Sequence, residues 1–304
     1  MVPTKLGEIG TGEGKSAITN GNVKNNVIMC CTIKKAVQSS WELKDLGINE
    51  SPTATDDDDA LKQFYQTLEI KNNRYIVSWP YQNVERPVSD NYQLSYNKMR
   101  SVFNRLSREE LVEKYDKIIQ DQMTNNIVEK VEDNQSVNRV SYLPHNPILI
   151  PSEQTTKLRI AYNALAKSFK DTLSLNKSLY RGSVMLPELC GMLLRFRTYK
   201  YEVSADIEKA FLQIELHDQD RNITRILWLK DPTKEITPDN LVIYRFRRVP
   251  FEIISSPFLL TATMTYHLKE EVAEAQREED ERRASLMEQL MSQIYVDNLI
   301  TGGT

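Results

Sequence analysis

Apolar residues recur at three- and four-residue steps through much of this chain and alternate with polar ones in shorter runs. Met99, Val102, Phe103 and Leu106, then Leu111, Tyr115, Ile118 and Ile119, keep to one side of a 3.6-residue period, which predicts helix across 91–129. Shorter helical patterns cover 41–48, stopped by Gly47, then 60–68, and 187–196, where Leu189, Leu193 and Leu194 repeat. Ser256-Pro257 opens a further helix, with proline in its first turn, that grows increasingly charged towards about 293. Strands are predicted at 74–79 (ended by Pro80), 157–162, 201–206, 223–229 and 241–246; prolines 144, 147 and 151 punctuate an extended 142–151. Helices and hairpin strands without a regular βαβ alternation predict an α+β fold.

A length of 304 residues, 40% hydrophobic and 27% charged, fits a globular protein with ample core. No run reaches the ~18 apolar residues of a membrane span, and the N-terminus lacks a signal pattern, so no membrane partner is expected. Cys30, Cys31 and Cys190 offer neither a disulfide framework nor metal spacing, which points to a reducing, intracellular, cytoplasmic setting. Residues 1–40 read as a flexible lead-in. Gly12-Glu13-Gly14-Lys15-Ser16 fails as a phosphate loop because the first glycine of that motif falls on Ile9.

The net charge of −3 conceals an uneven distribution. Residues 151–250 hold 17 Lys and Arg against 12 Asp and Glu, leaving 22 against 30 elsewhere. The middle block is therefore basic by five charges and suits a polyanionic partner. Arg195, Arg197 and Lys200 beside Phe196 and Tyr199, and Arg245, Arg247 and Arg248 beside Tyr244 and Phe246, interleave cations with aromatics as single-strand binders do. His145, His217 and His267 are scattered and receive no catalytic role.

Two acidic sites stand out within this pattern. The strand at 201–206 ends on Asp206, and YVDN at 295–298 reads as a hairpin with Asp297-Asn298 at its bend. Aspartates on neighbouring strand ends can clamp two divalent ions about 3.5–4 Å apart, the arrangement that serves phosphoryl transfer.

DIEKAFLQI at 206–214, Asp220-Arg221 with RILW at 225–228, YRFRRVPF at 244–251, SPFLLTAT at 256–263 and YVDN together resemble the reverse transcriptases of BEL/Pao-class LTR retrotransposons. TTKLRI at 155–160 and the 41–48 segment are similar to the same family. The resemblance implies a right-hand polymerase with fingers and palm over 89–304, a family-specific connector over 41–88, and no thumb after the YVDN hairpin. It implies Mg²⁺ or Mn²⁺, two ions, held by Asp206, Asp297, Asn298 and the carbonyl of Ile207. Lys157 and Arg159 are expected on the incoming triphosphate, with Phe211 and Phe251 against the nucleotide and Phe211 excluding a ribose 2′-hydroxyl. Pro250, Ser256, Pro257 and Tyr295 are expected beside template and primer. The implied partners are an RNA or DNA template-primer, deoxynucleoside triphosphates and other segments of the element's polyprotein, in cytoplasm, virus-like particles or nucleus. Glu252 stands where the family has glycine, so its side chain is expected to crowd the template and repel phosphate.

Overall fold

The computed structural model describes residues 54–82, 87–132, 139–150 and 157–303, which belong to one compact unit of an α+β fold. The lead-in and the helix predicted at 41–48 lie outside the described residues. Helix α1 (Ala54–Thr67) leads into a hairpin of β1 (Glu69–Lys71) and β2 (Arg74–Val77). Asn72 and Asn73 form its two-residue loop with φ of 53° and 57°, the left-handed pair that a type I′ turn needs and that asparagine tolerates. Ala60, Phe64, Val77 and Trp79 are buried in the same core as the later elements, so 54–82 do not form a separate layer.

The stretch predicted as one helix over 91–129 is two helices and a strand: α2 (Tyr92–Arg108), α3 (Val112–Thr124) and β3 (Val128–Lys130). The cause is local. Glu110 takes φ 54° and Leu111 N–H returns to Leu106 O at 2.9 Å, the bond that closes a Schellman stop. Asn126 (φ 54°) and the bond from Ile127 N–H to Gln122 O end α3 in the same way. The apolar period runs through the break because both helices bury the same side: Met99, Val102 and Leu106 on α2, Tyr115 and Ile119 on α3.

Strand β3 pairs with β9 (Leu241–Phe246), which pairs with β8 (Arg225–Leu229), all antiparallel. Strands β4 (His145–Ile150) and β5 (Lys157–Tyr162) form a separate hairpin. The short β7 (Glu215–Leu216) runs parallel to β2. Helix α4 (Leu189–Phe196) precedes β6 (Tyr201–Asp206). The long helix expected from Ser256 breaks into α5 (Ser256–Arg277) and α6 (Glu281–Met291). Glu279 at φ 58° stops the first, and Asp280 accepts Arg283 N–H to cap the second. Arg283 then joins Glu271, Glu274 and Glu278 across the helical hairpin. Strands β10 (Ile294–Tyr295) and β11 (Asn298–Gly303) complete the described chain.

Where α2, α3 and the β8–β9 sheet meet, His145 is buried among Tyr115, Tyr162 and Trp228. One ring nitrogen, Nε2, faces Leu227 O at 2.9 Å, and the other, Nδ1, faces the Tyr115 hydroxyl. These partners suit a neutral ring that donates through Nε2 and accepts at Nδ1. Burial lowers the His145 pKa from 6.5 to about 4. The unfolded chain therefore binds more protons between those values, so this contribution is complete above pH 6.5 and is lost as the pH falls through about 4. The difference amounts to about 3 kcal/mol. Chemical denaturation should show the parent losing roughly that much more stability than His145→Gln between neutral pH and pH 4.

Candidate metal centre and its surroundings

The three-stranded sheet β10–β11–β6 brings the two acidic motifs together. Strand β11 runs antiparallel to β6 with Asn298 opposite Asp206 and Gly303 opposite Tyr201. Its other edge pairs with β10, Tyr295 opposite Asn298, which leaves Val296-Asp297 as the loop. The bend is thus one residue earlier than the Asp297-Asn298 bend predicted. Asn298 is needed in the ladder, and Val296 supplies the positive φ of 59° with which a two-residue hairpin loop starts. A β-branched residue rarely takes that conformation. Val296 packs against the core and, with Met185, Met264, Met291 and Ile294, lines a cleft beneath the hairpin.

Directly opposed residues share a sheet face, so Asp206 and Asn298 lie side by side. The turn is fastened by Ile207 N–H to Asp297 O at 2.8 Å, which joins the residue after Asp206 to the acid at the loop. Asn298 Nδ2 donates to Asp297 Oδ1 at 2.8 Å. The amide nitrogen of Asn298 is thus engaged with the Asp297 carboxylate, while its carbonyl oxygen is the atom that the sequence expectation made a ligand. The backbone thus brings two carboxylate-bearing residues, Asp206 and Asp297, to one end of the sheet, and carboxylate oxygens are the type preferred by Mg²⁺ and Mn²⁺ over softer metals. Among the described residues no group of three or more His, Cys, Asp or Glu could hold a metal. Strand β6 was expected to alternate between buried and exposed. All six of its residues are exposed, so neither face of this strand is covered by the described residues.

After Asp206 the chain makes a left-handed step at Lys209 (φ 52°) and a 3-10 turn, Ala210–Gln213. Arg248 Nη1 donates to Leu212 O at 3.0 Å and Arg74 Nη1 to Gln213 O at 3.1 Å, so two arginines hold the carbonyls that end this turn. Phe211 is 9% exposed and meets Phe251, 48% exposed, edge to face with ring centroids 5.2 Å apart. One aromatic is anchored in the core and the other reaches solvent.

The segment carrying Phe251 is closely strapped. Val249 N–H donates to Ile214 O, Ile254 N–H to Asn176 Oδ1, and the Ser255 hydroxyl to Tyr180 O. Ser256 Oγ donates to Pro250 O at 2.7 Å, and both residues are buried. The expected contact of Pro250 and Ser256 with template or primer is therefore corrected: they close the loop internally and leave Phe251 and part of Pro257 at its surface. Glu252 has φ 81°, the left-handed region where glycine is favoured. Its side chain turns inward and Oε2 accepts the Tyr162 N–H. Burial raises its carboxyl pKa while that bond opposes the rise. The expectation that Glu252 crowds a template is overturned by this inward turn.

Arg159 is exposed on β5, opposite Ile148. Lys157 begins the strand, paired through its backbone with Ile150. Tyr295 is half-buried, and burial raises its hydroxyl pKa. The interleaved cations other than Arg248, which holds Leu212 O, divide into two groups. Arg195, Arg197 and Lys200 are exposed. Arg245 and Arg247 instead join Arg221 in a network with Glu129, Glu215 and Asp218, with Arg245 Nε 2.7 Å from Glu129 Oε1 and Arg221 Nη2 2.9 Å from Glu215 Oε1. Expecting Arg245 and Arg247 to meet nucleic acid was wrong because their partners lie on β3 and β7, far off in sequence. No protein-family model matches the chain, and no curated protein matches it. Among the described residues no helix is long and apolar enough to cross a membrane.

Removing Arg245 takes one of three arginines from Glu129 and the short ion pair from Asp218, so Arg245→Ala should lower unfolding stability by about 1–2 kcal/mol. The same variant should leave the salt dependence of any nucleic-acid binding unchanged, whereas Arg195→Ala should reduce its slope by roughly one phosphate contact.

Proposed function

We propose that the chain is the fingers-and-palm part of a reverse transcriptase of the BEL/Pao type, carrying out metal-dependent transfer of deoxynucleotides onto a primer 3′-hydroxyl. The observation that carries this reading is the pairing of Asp206 with Asn298, with Asp297 at the adjoining loop and tied to Ile207. Acids from two remote motifs are thereby joined at one end of one sheet, as a two-metal clamp needs. Ordered resemblance across five motifs supports the family, and the β6–β11 register supports a shared site for the two acids.

Asp206, Asp297 and the Ile207 carbonyl would hold Mg²⁺ or Mn²⁺, which supplies Lewis acidity and charge neutralisation at the phosphates. In the reaction the primer 3′-oxygen forms a bond to the α-phosphorus of a deoxynucleoside triphosphate. The bond to the bridging oxygen breaks, pyrophosphate leaves, and the hydroxyl proton is lost to solvent. Asn298 keeps the Asp297 carboxylate aimed. Arg159, exposed on β5, presents a planar fork suited to paired bonds with the triphosphate, with Lys157 at the start of the same strand. Phe211, anchored in the core beside exposed Phe251, would form the floor under the sugar and leave no room for a 2′-hydroxyl. Exposed Arg195, Arg197 and Lys200 suit a template-primer backbone.

Titration with Mg²⁺ or Mn²⁺ should reveal binding that Asp206→Ala and Asp297→Ala each remove, together with primer extension on RNA or DNA templates. Full metal binding by either variant would sink the two-carboxylate site. A parent that binds nucleic acid and metal but extends no primer would instead mark a binding protein.

Sugar selection gives an independent check. Phe211→Val should raise ribonucleotide use relative to deoxynucleotide by about tenfold, or ~1.4 kcal/mol of discrimination, at a stability cost of roughly 1–3 kcal/mol. Unchanged selectivity with the stability loss would make Phe211 a core residue alone.

A further inference from the structure

Strand β5 has one edge paired and one open among the described residues. Asn163 N–H donates to Pro144 O at 2.8 Å, which directs the odd-numbered amides at this end of the strand towards the β4 side. Amides alternate in an antiparallel pair, so the Tyr162 N–H points to the open edge. A half-buried amide without an acceptor is costly. Glu252 Oε2 meets that need from ninety residues away. Its backbone, at φ 81°, adopts a conformation that glutamate rarely takes. A residue that bears both backbone strain and burial of a carboxylate, and uses that carboxylate for one amide, joins two parts of the molecule for a reason.

The two parts are identifiable. Tyr162 ends the strand that bears Arg159 three residues earlier, and its ring is fixed edge-on against Phe246 at 4.9 Å with its hydroxyl on Gln122. Glu252 follows Phe251, whose ring meets Phe211. We propose that Glu252 is a positioning residue that fastens the strand carrying Arg159 to the loop carrying Phe251, and so sets the span between triphosphate and sugar contacts. This rests on the polymerase reading above. A glycine at 252 would relax the backbone yet lose the tie, so it should fold well and bind nucleotide poorly.

The test uses the full chain as parent, Glu252→Gly and Glu252→Gln. Hydrogen exchange at the Tyr162 amide reads the tie itself, and steady-state primer extension separates KM for deoxynucleotide from kcat. Glu252→Gly should speed Tyr162 exchange and raise KM about tenfold, the factor that ~1.4 kcal/mol corresponds to, with kcat within about twofold. Glu252→Gln keeps a side-chain acceptor and should restore protection and most of the KM. Undiminished Tyr162 protection in Glu252→Gly, a KM that stays level or falls, or a glutamine variant no better than glycine overturns the proposal. A parent inactive with both metals overturns the polymerase reading and the nucleotide part of this inference together, while Tyr162 exchange still decides whether the tie exists.

Discussion

The antiparallel ladder between β6 and β11 is the interaction on which the site depends. It sets Asp206 opposite Asn298 and puts Asp297 within one hydrogen bond of Ile207. A shift of one residue would move every side chain of β11 to the other face and separate the acids. Because β6 is exposed throughout, little burial holds the ladder in register. The register rests instead on the turn and on Gly302. A Cβ there would lie 2.4 Å from Tyr201 O and 2.6 Å from the Tyr199 ring, closer than packing allows. Tyr199 in turn takes a hydrogen bond from Gln293 beside β10.

Electrostatics divide the molecule differently from its sequence. The basic block contains Arg221, Arg245 and Arg247, which bind Glu129, Glu215 and Asp218 and serve as a brace between β3, β7 and β9. Charge that is compensated internally contributes little to the field felt by a distant polyanion. Arg159, Arg195, Arg197 and Lys200 remain exposed, as do Lys167, Lys170 and Lys177 of the same block. Arg74 and Arg248 have a further duty, holding the carbonyls that end the turn after Phe211.

Much of the fold could be read from the sequence where one residue type dominates a short period. The β5 and β9 limits are those the alternation predicts, and the edges of β6 likewise follow from its pattern. Helix stops at Glu110 and Glu279 were missed because glutamate carries no left-handed preference; main-chain bonds from Leu111 N–H to Leu106 O and from Asp280 N–H to Ala275 O close the turns there. Asn72-Asn73 was a signal for a type I′ hairpin, passed over because β1 is exposed and polar. At the site, the two aspartates were legible from spacing and resemblance. The roles of Asn298, Ser256 and Glu252 were not, since each depends on where one hydrogen bond goes.

Among the described residues, three helix ends close on a left-handed residue that is not glycine: Glu110, Asn126 and Glu279. L side chains disfavour that conformation, so each end retains strain that the surrounding bonds overcome. The chain therefore holds an untapped reserve of thermostability at positions remote from its acids. Glycine at 110 and 279 would release roughly 0.5–1 kcal/mol each, after the added freedom of the unfolded chain is deducted. Stability could thus be raised in this scaffold without altering any group assigned a chemical task.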